Sequence, residues 1–190
     1  MNIYKEIKIM TLGNSYAGKT SFILRYANDI YSPFVSPTIG IDFKSKIETM
    51  EDGKRIKVSL FDTNGQERFK SIAFNTLKNA NGVLLFYDIT DRNSFDSIKN
   101  WIASIYNYKD KNYPIVLIGN KIDLENERDV TKEEGEAESK KYNINFFEIS
   151  CKSNINIKKP ILYLISKIEG LKTNKNIILE AKNKKKKKCC

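Results

Sequence analysis

The segment Gly13-Asn14-Ser15-Tyr16-Ala17-Gly18-Lys19-Thr20 is a complete G-x-x-x-x-G-K-[ST] loop. It commits its neighbourhood to a strand, a tight turn and a helix. The flanks agree. An alternating apolar run, Ile3, Ile7, Ile9 and Leu12, precedes the loop, and an amphipathic segment, Phe22, Ile23 and Tyr26, follows it. Gly13 and Gly18 let the backbone wrap a polyphosphate, with amide N–H groups aimed inward at a helix N-terminus. Lys19 can reach the β- and γ-phosphates, and the Thr20 hydroxyl can ligate Mg²⁺. Without those flanks the match would be an ordinary glycine loop.

Apolar runs and helical patterns then alternate. Residues 4–12 read as a strand and 19–28 as a helix. Residues 29–40 form a loop with Pro33, Pro37 and Gly40. Residues 41–50 and 54–62 read as two strands joined at Asp52-Gly53, a hairpin signal. Residues 63–80 are mixed. Val83 to Tyr87 and Ile115 to Ile118 are continuous apolar runs that suit buried strands. Asp91 is placed to cap a helix reaching about Tyr108. Thr131-Lys132-Glu133-Glu134 is a capping box for a helix to about Tyr142. Phe146 to Ile149 read as a short strand. A last helix runs from about Ile157 to Gly170, with Pro160 tolerated in its first turn. This alternation predicts an α/β fold: a doubly wound, mostly parallel six-stranded sheet with helices on both faces and one antiparallel edge hairpin.

The 190 residues suit one domain, expected at 1–171, followed by a flexible polybasic tail at 172–190. The tail holds eight Lys and one Glu, so +7 of the formal +10 charge lies there and only +3 in the body. The body is therefore not an expected nucleic-acid binder. No apolar run approaches the roughly 18–20 residues of a membrane span. The N-terminus shows no signal-peptide core. The chain has no His, which excludes a His base or a His-ligated metal. Cys151 and the terminal pair Cys189-Cys190 make no disulfide framework and point to a reducing compartment.

Four further segments can serve the same ligand. Asp62-Thr63-Asn64-Gly65-Gln66 places a carboxylate for the Mg²⁺ shell, a Gly65 N–H for the γ-phosphate, and Gln66 to orient an attacking water. Taken alone, D-x-x-G is a weak motif and usually a turn. In Asn120-Lys121-Ile122-Asp123, the Asp123 carboxylate can accept from guanine N1–H and N2–H₂, a donor pair adenine lacks. Asn120 can support the loop and the base N7, and the Lys121 stem can cover the ring. In Ser150-Cys151-Lys152, a small residue at 151 lets the backbone N–H approach guanine O6; Cys151 is also expected to be buried. Thr38 can add a hydroxyl to Mg²⁺, and Tyr31 can pack edgewise on the base.

In this order the segments resemble the small GTPases of the Ras superfamily over residues 6–170. Ile39 to Phe43, Arg68 to Ile72, Leu85 to Thr90, Trp101 and Asn154-Ile155-Asn156 resemble Rab proteins most. Cys189-Cys190 is similar to a Rab double-cysteine prenylation signal. The resemblance implies a GTP/GDP switch in vesicle and membrane trafficking that hydrolyses GTP with Mg²⁺. The implied nucleotide contacts come from Asn14, Ser15, Tyr16, Ala17, Gly18, Lys19, Thr20, Ser21, Tyr31, Thr38, Gly65, Asn120, Lys121, Asp123, Ser150, Cys151 and Lys152. Thr20, Thr38 and Asp62 serve the metal, and Gln66 serves catalysis. The implied partners are an exchange factor, a GTPase-activating protein, a GDP-dissociation inhibitor or prenylation escort, and effectors at 31–45 and 61–78. The expected form is a monomer that cycles between the cytosol and the cytoplasmic face of an intracellular membrane through its lipidated tail.

The chain departs from that pattern in places. Tyr16 stands where Rab loops carry Gly or another small residue, so its ring must point away from the phosphates or lie over the nucleotide. Asn64 replaces the usual Ala, and Phe61 and Thr76 replace a Trp and a Tyr of the effector surface. Two rival readings follow: a GTP-binding effector module with very slow or no hydrolysis, and a metabolic kinase that shares the phosphate loop. Asp123 argues against the kinase.

Overall fold

The computed structural model describes residues 4–34, 41–63 and 76–170. Its sheet has the order β2-β3-β1-β4-β5-β6, with β1 at Lys5–Gly13, β2 at Ile41–Thr49, β3 at Arg55–Thr63, β4 at Gly82–Asp88, β5 at Ile115–Asn120 and β6 at Asn145–Ile149. The β2–β3 pair is antiparallel and every other pairing is parallel. The hairpin turns at Gly53, whose φ of 78° suits glycine.

Alternation along the strands sorts the core into two layers. Ile7 and Ile9 of β1, Leu84 and Phe86 of β4, and Val116 and Ile118 of β5 point to one face. There they meet Phe22, Ile23 and Tyr26 of α1 (Lys19–Asn28) and Ile161, Leu164, Ile165 and Ile168 of the last helix, at 159–170. Met10 and Leu12, Val83, Leu85 and Tyr87, and Ile115 and Leu117 point to the other face. Each fully buried side chain of this size contributes about 1.5–3 kcal/mol. Strands buried on both faces read as unbroken apolar runs for this reason.

Asp91 does cap a helix by accepting from the Asn93 N–H at 3.0 Å. The expected single helix to Tyr108 is instead two, α2 (Arg92–Asp96) and α3 (Ile98–Tyr106), divided at Ser97. The Ser97 hydroxyl bonds back to the Asn93 carbonyl at 2.7 Å, the local competition that bends helices. The Thr131 capping box forms in full and opens α4 (Lys132–Lys141), a motif worth about 1 kcal/mol.

Parallel pairing brings the carboxyl ends of β1, β3, β4, β5 and β6 to one edge of the sheet. Gly13 lies opposite Phe86 there, where β1 separates from β4. Ligands of open α/β sheets bind along that edge.

Candidate functional site

The phosphate loop leaves β1 at Gly13 and enters α1 at Gly18. Both glycines have left-handed backbone, φ 132° and 87°. Each also allows a close approach that sequence reasoning did not foresee. A Cβ on Gly13 would lie 2.2 Å from the Phe86 carbonyl oxygen, and one on Gly18 would lie 2.1 Å from the Asn120 amide nitrogen. These glycines are required by the neighbouring strand and by the next loop, besides the backbone wrap.

Lys19 is buried. Its ammonium donates to the carbonyl oxygens of Gly13 at 2.9 Å and Asn14 at 2.8 Å. Burial pulls its pKa down to about 8, partly countered by Asp62. A buried cation whose hydrogen bonds go to neutral carbonyls favours an incoming anion. The Thr20 hydroxyl donates to Asp62 Oδ2 at 2.7 Å, and Asp62 is buried at the end of β3. A hydroxyl and a carboxylate oxygen at that spacing are hard donors of the kind Mg²⁺ takes. Ala17 is fully buried, and Ser15 and Ser21 flank the turn. Tyr16 is 79% exposed, so its ring points outward.

Asn14 is anchored from below the loop. Its amide donates to the Ser97 hydroxyl at 3.1 Å and accepts from Trp101 Nε1 at 2.8 Å. The break between α2 and α3 thus presents Ser97 to the loop.

The predicted base-binding loop, Asn120 to Asp123, follows β5. Asn120 is buried and donates to the Ala17 carbonyl at 3.0 Å, while its oxygen faces the Cys151 thiol at 3.5 Å. One amide thereby ties three loops together. Asp123 accepts from the Ser150 hydroxyl at 2.5 Å, with the Lys152 ammonium 3.9 Å away. Ser150 directly follows β6, so the end of the neighbouring strand aims the carboxylate. Lys121 has left-handed backbone, φ 74°, and its ammonium pairs with Asp88 at the end of β4. Asp88 is held in turn by Thr90. Cys151 is buried as expected, and burial pushes its thiol up to about 12.

Arg25 of α1 was not singled out in the sequence. Its guanidinium donates to the Cys151 carbonyl at 2.9 Å and the Lys152 carbonyl at 3.3 Å, and lies 5.8 Å from the Tyr31 ring centre. Tyr31 is therefore placed beside the base loops. No spacing rule marks its contacts with Cys151 and Lys152, which lie more than a hundred positions away. Thr38, Gly65, Gln66, Asn64 and the cysteines at 189 and 190 lie outside the described residues.

Among the predicted site residues within the described segments, the fold gathers those of 13–21, Tyr31, Asp62, 120–123 and 150–152 along one edge. Comparison with known proteins gives the family. Residues 8–170 match the Ras family. The chain is 41% identical over 167 residues to the GTP-binding protein ypt2 of Schizosaccharomyces pombe, covering 87% of this chain and 82% of that one. It is 43% identical over 161 residues to the human Ras-related protein Rab-3A, covering 85% and 73%. It is also 43% identical over 158 residues to the rat GTP-binding protein Rab-3D, covering 83% and 72%.

Proposed function

Because the chain belongs to the Ras family, and within it to the Rab small GTPases, we propose that the edge from Gly13 to Lys152 is its guanine-nucleotide site and that each residue there has a separable task. The protein is a Rab-like GTPase of membrane trafficking. It binds GTP and GDP with Mg²⁺ and hydrolyses GTP. Amide groups of residues 14–18 and the Lys19 ammonium hold the phosphates. Thr20 and Asp62 would hold the Mg²⁺, joined by Thr38. When bound, the ion neutralises charge on the phosphate oxygens.

Asp123 reads the base. Its carboxylate is aimed by Ser150, and this contact carries the assignment most directly. Asn120 locks the base loop to the phosphate loop, and Lys121 covers the ring while Asp88 steadies it. Gln66 is assigned to orient the attacking water. Thr38 and Gly65 are assigned to sense the γ-phosphate, so that effectors at 31–45 and 61–78 distinguish the two nucleotide states. An exchange factor, a GTPase-activating protein and a GDP-dissociation inhibitor complete the cycle. The body, 1–171, is joined by a polybasic tail to Cys189 and Cys190, where prenylation anchors it to the cytoplasmic face of an intracellular membrane.

Competition of GTP against ATP on the purified chain tests the site. GTP is expected to win by several orders of magnitude, and comparable affinities would overturn the assignment. Single-turnover hydrolysis by wild type and Gln66→Ala tests the catalytic assignment, with equal rates counting against it. Changing both terminal cysteines to Ser is expected to release the protein from membranes.

A further inference from the structure

The phosphate loop passes through left-handed backbone three times, at Gly13, Tyr16 and Gly18. Glycine supplies the conformation at two of these positions. At the third the chain supplies a tyrosine with φ 65°. A residue with a Cβ is disfavoured there relative to glycine by a factor of about 5–30. Such strain persists only where the surroundings hold it in place. The Tyr16 side chain does not: it is 79% exposed.

The loop's protein anchors lie on either side of this point. Asn14 is held by Ser97 and Trp101, and the Ala17 carbonyl is held by Asn120. Between the anchors, one long bond from the Ala17 N–H to the Asn14 carbonyl, 3.4 Å, closes the turn, and among the described residues the two inside it, Ser15 and Tyr16, make no bond of their own. A polyphosphate wrapped by their amides adds to that hold, because a left-handed residue in a turn aims successive N–H groups into one concavity. With so weak a closure, a bound nucleotide bears much of the strain.

We propose that Tyr16 is a positioning residue whose strained backbone is held by the bound nucleotide, so that it loosens GDP and GTP and shortens their residence. This rests on the assignment of Gly13–Thr20 as the phosphate loop. The ring plays no part in the effect; the Cβ does.

The test is the release of a fluorescent GDP from the full chain with Mg²⁺, chased by excess unlabelled GDP. Tyr16→Gly removes the penalty and is expected to slow release about 5–30-fold. Tyr16→Asn, whose side chain tolerates left-handed backbone, is expected to fall between. Tyr16→Ala keeps the Cβ and is expected to change release no more than about twofold, by the same reasoning. The melting midpoint, read with GDP and after its removal, is the second measurement. Tyr16→Gly should raise it more with GDP bound. The proposal is overturned if Ala slows release as much as Gly, which would make the ring responsible. It is also overturned if Gly lies within twofold of wild type, or if Gly raises both midpoints equally. A wild-type chain that takes up no fluorescent GDP would instead sink the phosphate-loop assignment itself, and the proposal with it.

Discussion

The phosphate loop and the base loops share one edge of the sheet but are held in opposite ways. At the base loops, side chains are already satisfied by each other: Asp123 by Ser150, Lys121 by Asp88, Asn120 by the Ala17 carbonyl. At the phosphate loop, backbone does the work, and two of its three left-handed residues tolerate no Cβ because neighbouring atoms fill that space. Its cation is buried against carbonyls rather than an anion. The difference teaches how affinity and selectivity are divided. A preorganised acceptor discriminates by leaving a wrong base unpaired. A loop of amides and a buried ammonium supplies attraction but reads no base.

The largest expected effect separates these roles. Asp123→Ala removes two charge-assisted hydrogen bonds, each worth about 1.5–3 kcal/mol. GTP affinity is expected to fall roughly 10²–10⁴-fold while ATP affinity barely changes. Equal losses for both nucleotides in a competition assay would show that the base loop does not read the base.

The next effect strikes the junction between the loops. Gly18→Ala places a Cβ 2.1 Å from the Asn120 amide nitrogen at φ 87°. The clash and the backbone conformation together cost about 2–4 kcal/mol. A drop in melting midpoint of about 5–15 °C follows, read by calorimetry without nucleotide. A melt unchanged within a degree would mean that the two loops are not packed as rigidly as their contacts imply.

The smallest effect concerns pH. Lys19 has a folded pKa of about 8 against 10.5 when exposed. Between those values Lys19 binds more protons in the unfolded chain than in the nucleotide-free fold, so its contribution to stability rises with pH from 8 to 10.5, opposed above about pH 9 by the buried Cys151 thiol. Bound phosphate restores the ammonium, so GDP binding takes up a proton there and weakens by at most tenfold per pH unit. Lys19→Met is expected to remove both slopes. Slopes that persist in that variant would assign them to another group.

Much of this edge was legible in the chain. Gly13 to Thr20 gave the loop, Asp62 and Thr20 the candidate metal ligands, and Asp123 the candidate base-reading carboxylate. Each is a short segment at a strand end, where local pattern and chemistry coincide. The unbroken apolar run Val83 to Tyr87 likewise placed a central strand, because a strand buried on both faces must be apolar throughout. The division of the Asp91–Tyr108 helix was missed. Ser97 looks like an ordinary helical serine until its hydroxyl is seen to bond back to Asn93, leaving it beside Asn14.

The sequence by itself determined the ligand class, the parallel architecture and the residue types at each strand end. These depend on periods of two and about 3.6 residues and on spacings within single loops. Only the tertiary structure decided how those loops are fastened together. Arg25 against Cys151 and Lys152, Phe86 against Gly13, and Asn120 against Gly18 join positions 73 to 127 residues apart, beyond any local pattern. It also decided the conformation of Tyr16. Nothing in the sequence marks that this L-residue takes a left-handed φ.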